Sequence, residues 1–258
     1  MWIYLFFMFI LIGCSSLEKS ESSNEKYLVL KGANLYSVGK KSEALKMYED
    51  ALKLNPQNLV ALREKGIILA QLENLKAGEK NLDLVFKKNP NDIIVLKNLA
   101  YICFKKKEYS KSFEYLEKIP NDLKSDQDYL MLAYIQYLNR NYKDSLINYN
   151  LIKNDIMYSN SLFFESYLEV LEEEYDQVTQ VKILLLIEEK IVYSQKNTIV
   201  LFNFYKNSLK RYELAEKVMK NYLTHNSLNN EILQKLSNLY SDMGKKEESL
   251  KTLNLILR

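Results

Sequence analysis

Proline and glycine are scarce in this chain, with three prolines and six glycines in 258 residues. Sheets and doubly wound folds need frequent turns built on these two residues. Their scarcity, beside abundant Leu, Lys, Glu, Asn and Tyr, argues against an all-β or α/β fold and for an all-α one. Cysteine occurs only as Cys14 and Cys103, too few for a disulfide framework. Cys103 lies among apolar neighbours at helical spacing and reads as a small buried hydrophobe. The single histidine, His225, has no second His or Cys with which to hold a metal. At the end of an expected helix, where positive charge is favoured, it serves the helix terminus rather than a catalytic set.

An excess of charge of one sign is also lacking. The chain has 36 basic and 33 acidic residues, interspersed along its length, so no footprint for nucleic acid is present. Lys105, Lys106 and Lys107 are followed at once by Glu108 and read as a solvated turn. Gly39-Lys40-Lys41-Ser42 has the end of a phosphate loop, but Asn34 stands where the loop needs its first glycine, and Gly-Lys-Lys returns at Gly244 as a turn. Glu172, Glu173 and Glu174 occupy consecutive helix positions, which point in different directions and do not converge for acid–base work. No enzyme activity, metal or cofactor is expected.

What the chain does have begins with residues 1–13, which carry no charged side chain. As a helix they reach about 20 Å, short of a hydrocarbon core of roughly 30 Å, and match the apolar core of an export signal. Leu11-Ile12-Gly13-Cys14 resembles the lipobox of bacterial lipoproteins. That resemblance implies a signal peptide over 1–13 and an acylated Cys14 that anchors the chain to a membrane. Ser15 after the cysteine resembles outer-membrane lipoproteins, implying the periplasmic face of that membrane, with the outer face of the plasma membrane as the alternative. Residues 14–24, rich in Ser and charge, read as a flexible tether. A rival reading leaves the apolar opening uncleaved on a cytoplasmic protein.

Beyond the tether one pattern repeats. Gly32 and Gly66 are 34 residues apart, as are Pro56 and Pro90. The small residues Ala44, Gly78, Ser112, Ser145, Ala215 and Ser249 follow at gaps of 34, 34, 33, 70 and 34. In the first repeat the pattern is Leu28, Gly32, Leu35, Ala44, Tyr48, Ala51 and Pro56. Gly32 and Ala44 permit close helix approach, the Leu and Tyr positions bury a stripe, and Pro56 stops the second helix. This pattern resembles the tetratricopeptide repeat (TPR), a helix–turn–helix unit. It implies an all-α, right-handed α-solenoid over 25–258 of about seven repeats and fourteen helices. The repeats lie near 25–58, 59–92, 93–125, 126–157, 158–195, 196–229 and 230–258. The gap of 70 hides a degenerate fifth repeat, with Val178 expected at its helix crossing and a longer, more buried second helix.

The resemblance further implies a concave groove lined by first helices, in which peptides or partner helices bind. With Leu28, Gly32 and Leu35 packed inward, spacing turns Val29, Ala33 and Tyr36 outward, then Arg63, Ile67 and Ala70, Lys97, Tyr101 and Phe104, and Leu130, Tyr134 and Tyr137. Arg63, Ile67, Lys97, Tyr101, Phe104, Tyr134 and Tyr137 are the candidate contacts for a partner segment with apolar and some acidic side chains. The alternative is that several of these tyrosines pack between repeats. Val29 and Ala33 replace the Lys and Asn with which some relatives clamp a terminal carboxylate. The last helix ends with Leu253, Ile256 and Leu257 uncovered, a candidate docking face for a partner or a second copy. The function expected is a membrane-anchored scaffold for protein partners, in envelope or pilus assembly. The alternative from another class is a non-catalytic subunit required by an envelope enzyme.

Overall fold

The structure, a computed structural model, describes residues 24–191 and 194–257. Cys14, the apolar segment 1–13 and nearly all of the expected tether lie outside them. Among the described residues every regular element is helical, and the chain divides into two compact units at Leu123–Lys124.

The amino-terminal unit holds three helical hairpins: α1 (24–37) with α2 (Lys41–Leu54), α3 (Leu59–Gln71) with α4 (Leu75–Lys88), and α5 (Ile93–Lys105) with α6 (Tyr109–Glu117). The carboxy-terminal unit holds four. They are α7 (Asp126–Leu138) with α8 (Tyr142–Asn150), α9 (Ser161–Glu174) with α10 (Gln177–Ile191), α11 (Gln195–Asn203) with α12 (Tyr212–His225), and α13 (Asn230–Asp242) with α14 (Lys246–Ile256). A π-helical turn, Phe204–Ser208, extends α11.

First and second helices start by different means. From α3 onward each first helix has a side-chain cap: Asn58, Asp92, Ser125, Asn160, Ser194 and Asn229 each accept a hydrogen bond from a backbone N–H in the first turn, satisfying donors the helix leaves open. Six of the second helices lack such a cap and start from a three-residue turn whose middle residue is left-handed: Gly39, Glu73, Lys107, Arg140, Lys210 and Gly244. The backbone of the turn folds back, as in Asn74 N–H donating to Leu69 O at 2.9 Å, and reverses the chain in three residues.

Helices of a hairpin cross at the small residues the sequence spaces. Leu82, Val85, Leu99 and Ile102 form one fully buried cluster, and Ala44, Tyr48, Ala51 and Ile68 another. At the crossings of the third and fourth hairpins Ser112 Oγ donates to Ala100 O and Ser145 Oγ to Ala133 O, each at 2.8 Å. The serine thereby ties its helix to the backbone of the other while taking up little space.

The fifth hairpin departs from this plan. Val178 was expected at its crossing, but it is 59% exposed. The position equivalent to Ser145, fourth in the helix, is Gln180, which is buried. Gln180 Nε2 donates to Tyr175 O at 2.5 Å, while its Oε1 finds no partner. A long polar side chain stands where the others have Gly, Ala or Ser, and α9 and α10 pack far more loosely than the other pairs. The turn differs too: Asp176 caps α10 through the Val178 and Thr179 N–H groups, and no left-handed residue is used. Helix α10 is long and well buried, as expected: Gln180, Leu184, Ile187, Glu188 and Ile191 are all covered, while Leu185 and Leu186 lie exposed on its outer face.

With Gln180 as the crossing, the gap of 70 splits into two of 35. One extra residue falls in the connection 151–160, which contains the 3-10 turn Asp155–Ser159. The other is absorbed by the π turn in α11, which widens the helix by one residue without breaking it.

Candidate protein-binding groove

The fifth, ninth and twelfth residues of the first helices are the candidate groove positions, and the structure separates them. In the amino-terminal unit Arg63 is half-buried and already engaged: its guanidinium lies 2.9 Å from Glu64 Oε1 and 3.4 Å from Asp92 Oδ2. It braces the cap of the following helix. Lys97, Tyr101 and Phe104 are half-buried; Lys105 Nζ lies 6.0 Å from the centre of the Tyr101 ring, and Phe104 meets Tyr109 edge-on. Ile67, expected on the groove, is instead buried and belongs to the core cluster with Leu99 and Ile102. A branched apolar side chain at that position is taken up by the next hairpin.

In the carboxy-terminal unit Tyr134 is likewise covered, at 6% exposed, its ring edge-on to Phe163 of the following first helix at 5.3 Å. The packing alternative, made for the tyrosines, thus applies to Tyr134, and Ile67 is covered in the same way. Tyr137 stays at the surface, stacked at a tilt near Tyr142, and its hydroxyl donates to Glu169 Oε2 at 2.6 Å. Burial, then the bond to Glu169, pushes the Tyr137 hydroxyl above the ordinary phenol range.

The same three positions in α9 hold Glu165, Glu169 and Glu172. With Glu173 they form one wall of a cleft of about 530 Å³, whose other wall comes from α11 and its π turn through Val200, Asn203, Phe204 and Asn207. The sequence carried the signal: extending the register one repeat further reaches these glutamates directly. Charge on first helices is also sorted where the whole chain looks mixed. Helix α5 has Lys97 and Lys105 and no acid, α7 has two aspartates and no base, and α9 has five glutamates and no base.

The remaining chemistry-bearing residues are structural. Cys103 is fully buried, and burial pushes its thiol up to about 11, so it stays protonated. Cys103, Glu79 and Glu108 bring ligand atoms within 4.8 Å of one another, but Lys106 Nζ sits 2.8 Å from Glu79 and 2.7 Å from Glu108. An ammonium therefore neutralises both carboxylates. His225 is the last residue of α12, and its Nδ1 donates to Asn221 O at 2.9 Å. At the carboxy-terminal end Leu253 and Ile256 are half-buried and Leu257 is 83% exposed. The equivalents of Leu253 and Ile256 in α12, Met219 and Tyr222, are buried. The most open leucines of this end are therefore Leu257 and Leu250, which was not anticipated, while Leu253 and Ile256 are partly covered. Among the described residues no helix is long and apolar enough to cross a membrane.

Hairpins of this length, crossing at small residues and stacked on their sequence neighbours, define an α-helical repeat protein of the solenoid class. Its fold is that of solved tetratricopeptide repeat structures. The chain is similar to a tetratricopeptide repeat protein from Parabacteroides merdae, with 18% identity, a TM-score of 0.50 and coverage of 90% of this chain and 94% of that one. It is similar also to a double mutant of MamA RS-1, at 15% identity and a TM-score of 0.53 over 72% of this chain and 97% of that one. A third likeness is to a chain of the APC/C hetero-tetramer Cut9–Hcn1, at 16% identity and a TM-score of 0.52 over 88% of this chain and 44% of that one. No protein-family model and no curated protein matches the chain.

Proposed function

We propose that this protein is a non-catalytic scaffold that holds a segment of a partner protein against its first helices and is tethered to a membrane through Cys14. The observation that carries the binding role is the cleft between α9 and α11, which lies at the register positions that resemble the peptide-binding face of TPR proteins. Half-buried aromatics at Tyr101, Phe104 and Tyr137 extend the same face along each unit. The membrane tether is supported by Leu11-Ile12-Gly13-Cys14 and the polar stretch after it, and so anchored the scaffold works at the bacterial envelope, on the periplasmic face of the outer membrane. Envelope or pilus assembly is the setting the lipobox and the repeat together suggest. The exposed Leu250 and Leu257, flanking the partly covered Leu253 and Ile256, mark a second docking face.

A photo-crosslinking amino acid at Asn207 or Tyr101 is expected to give discrete partner adducts in intact cells, and one at the exposed Glu114 of α6 is not. Equal labelling from all three positions overturns the binding face. Growth with a fatty-acid analogue tests the tether separately: label is expected on the parent protein and lost in Cys14→Ala. An unlabelled parent removes the anchor and leaves the scaffold.

A further inference from the structure

We propose that the cleft between α9 and α11 selects a cationic partner segment, one that presents Lys or Arg at alternate positions of an extended chain. This rests on the reading of the first-helix face as a binding surface and names the chemistry of its occupant. Glu165, Glu169, Glu172 and Glu173 are all exposed on one wall of the cleft. Among the described residues none of them is ion-paired. Carboxylates elsewhere in the unit are, as in Asp155–Lys190, Glu188–Lys217, Glu216–Lys245 and Asp242–Lys206. Thirty-six basic residues are available in the chain, yet α7 and α9 contain none of them.

The spacing sets the form of the occupant. Helix residues four and three apart are offset by about 6 Å and about 4.5 Å along the axis, so Glu165, Glu169 and the Glu172–Glu173 pair form three successive carboxylate stations. Alternate side chains of an extended segment recur every roughly 6.6 Å. Such a segment running along α9 meets one carboxylate with every second residue. Its other side chains turn towards Leu168, Val200 and Phe204, which give the cleft an apolar floor. Asn203 and Asn207 stand on the facing wall, where side-chain amides match the backbone groups of an extended chain. The hydroxyl of Tyr137 holds Glu169 in place. A partner with acidic side chains, the chemistry expected from the sequence, is repelled here.

The test uses the full chain and three fluorescent nine-residue peptides: one with Arg at alternate positions between small apolar residues, one with Glu at those positions, and one with Gln. The Arg peptide is expected to bind saturably, to weaken as salt rises, and to bind about tenfold or more weakly to a Glu165→Gln, Glu169→Gln, Glu172→Gln variant. These side chains are exposed, and the amide introduced by Glu169→Gln keeps an acceptor for Tyr137, so an unchanged thermal midpoint is expected. A Glu114→Gln, Glu117→Gln control on α6 should bind as the parent does. No saturable binding of the Arg peptide, or equal binding by the triple variant, overturns the proposal. Binding of the Glu or Gln peptide instead, with crosslinks from Asn207, overturns cationic selection while the binding face stands. Loss of crosslinks from Asn207 in cells removes the underlying reading itself.

Discussion

Gly78→Ala is expected to destabilise the protein by about 2 kcal/mol, although alanine is the better helix former by about 1 kcal/mol. A Cβ built on Gly78 lies 2.9 Å from Gly66 O and 3.1 Å from Ala70 N, both backbone atoms of the partner helix. Neither can turn aside as a side chain does, so the crossing must open, and Leu82 and Val85 beneath it lose contact. Gly66 offers an internal comparison: its Cβ meets Leu82 Cγ at 2.7 Å and Gly78 O at 3.1 Å, and Leu82 is fully buried with no free space to turn into, so Gly66→Ala should cost about as much. Urea unfolding followed by circular dichroism measures both. A Gly78→Ala midpoint at or above the parent's shows that close approach does not limit this hairpin. Ser112 and Ser145 occupy the same position in their hairpins at no such cost, because each side chain bonds to the facing carbonyl.

Alkali is expected to unfold the protein between about pH 10 and 12, with the loss of helix and the ionisation of tyrosine occurring together. Burial pushes the Tyr48 and Tyr167 hydroxyls up to about 12, and burial pushes those of Tyr149, Tyr158 and Tyr205 higher still. All five are buried. In the unfolded chain each ionises near 10. The folded state therefore keeps protons that the unfolded state releases. Stability is complete below pH 10 and falls as pH rises towards the folded values, by up to about 1.4 kcal/mol per pH unit for each such tyrosine. The four in the carboxy-terminal unit, Tyr149, Tyr158, Tyr167 and Tyr205, together reach the stability of an ordinary domain before pH 12. Circular dichroism and tyrosinate absorbance recorded on one pH series check this. Retention of helix while these tyrosines ionise one by one is the result that contradicts it.

How much of this could be read from the sequence depended on whether a residue's size or its surroundings decided its role. The crossings at Ala44, Gly78, Ser112, Ser145, Ala215 and Ser249 were legible because only a small residue fits there, a local requirement. Gln180 escaped because it breaks that rule, and an apolar residue two positions earlier was taken in its place. The caps Asn58, Asp92, Ser125, Asn160, Ser194 and Asn229 form a second periodic ladder, visible beforehand in residue type alone. The groove was harder. Arg63 and Ile67 sit on one helical stripe, as do Tyr137 and Tyr134, yet one of each pair is at the surface and the other is beneath the next hairpin. Helical spacing defines a face, but the neighbour's position decides where that face is covered, and spacing within one helix does not contain it. Following the stripe one repeat beyond Tyr137 would have exposed the glutamates of α9 without any structure.

The fifth hairpin is the least tightly paired of its unit. In a stack where each member leans only on its neighbours, cooperativity passes from one hairpin to the next through their shared interfaces. Helix α10, capped by its own aspartate and held at its crossing by a half-satisfied glutamine, transmits little of that load to α9. Helix α9, by contrast, is packed against α8, α7 and α11. The wall that carries the carboxylates is thus held by three neighbouring helices, so the spacing of Glu165, Glu169 and Glu172 does not depend on α10.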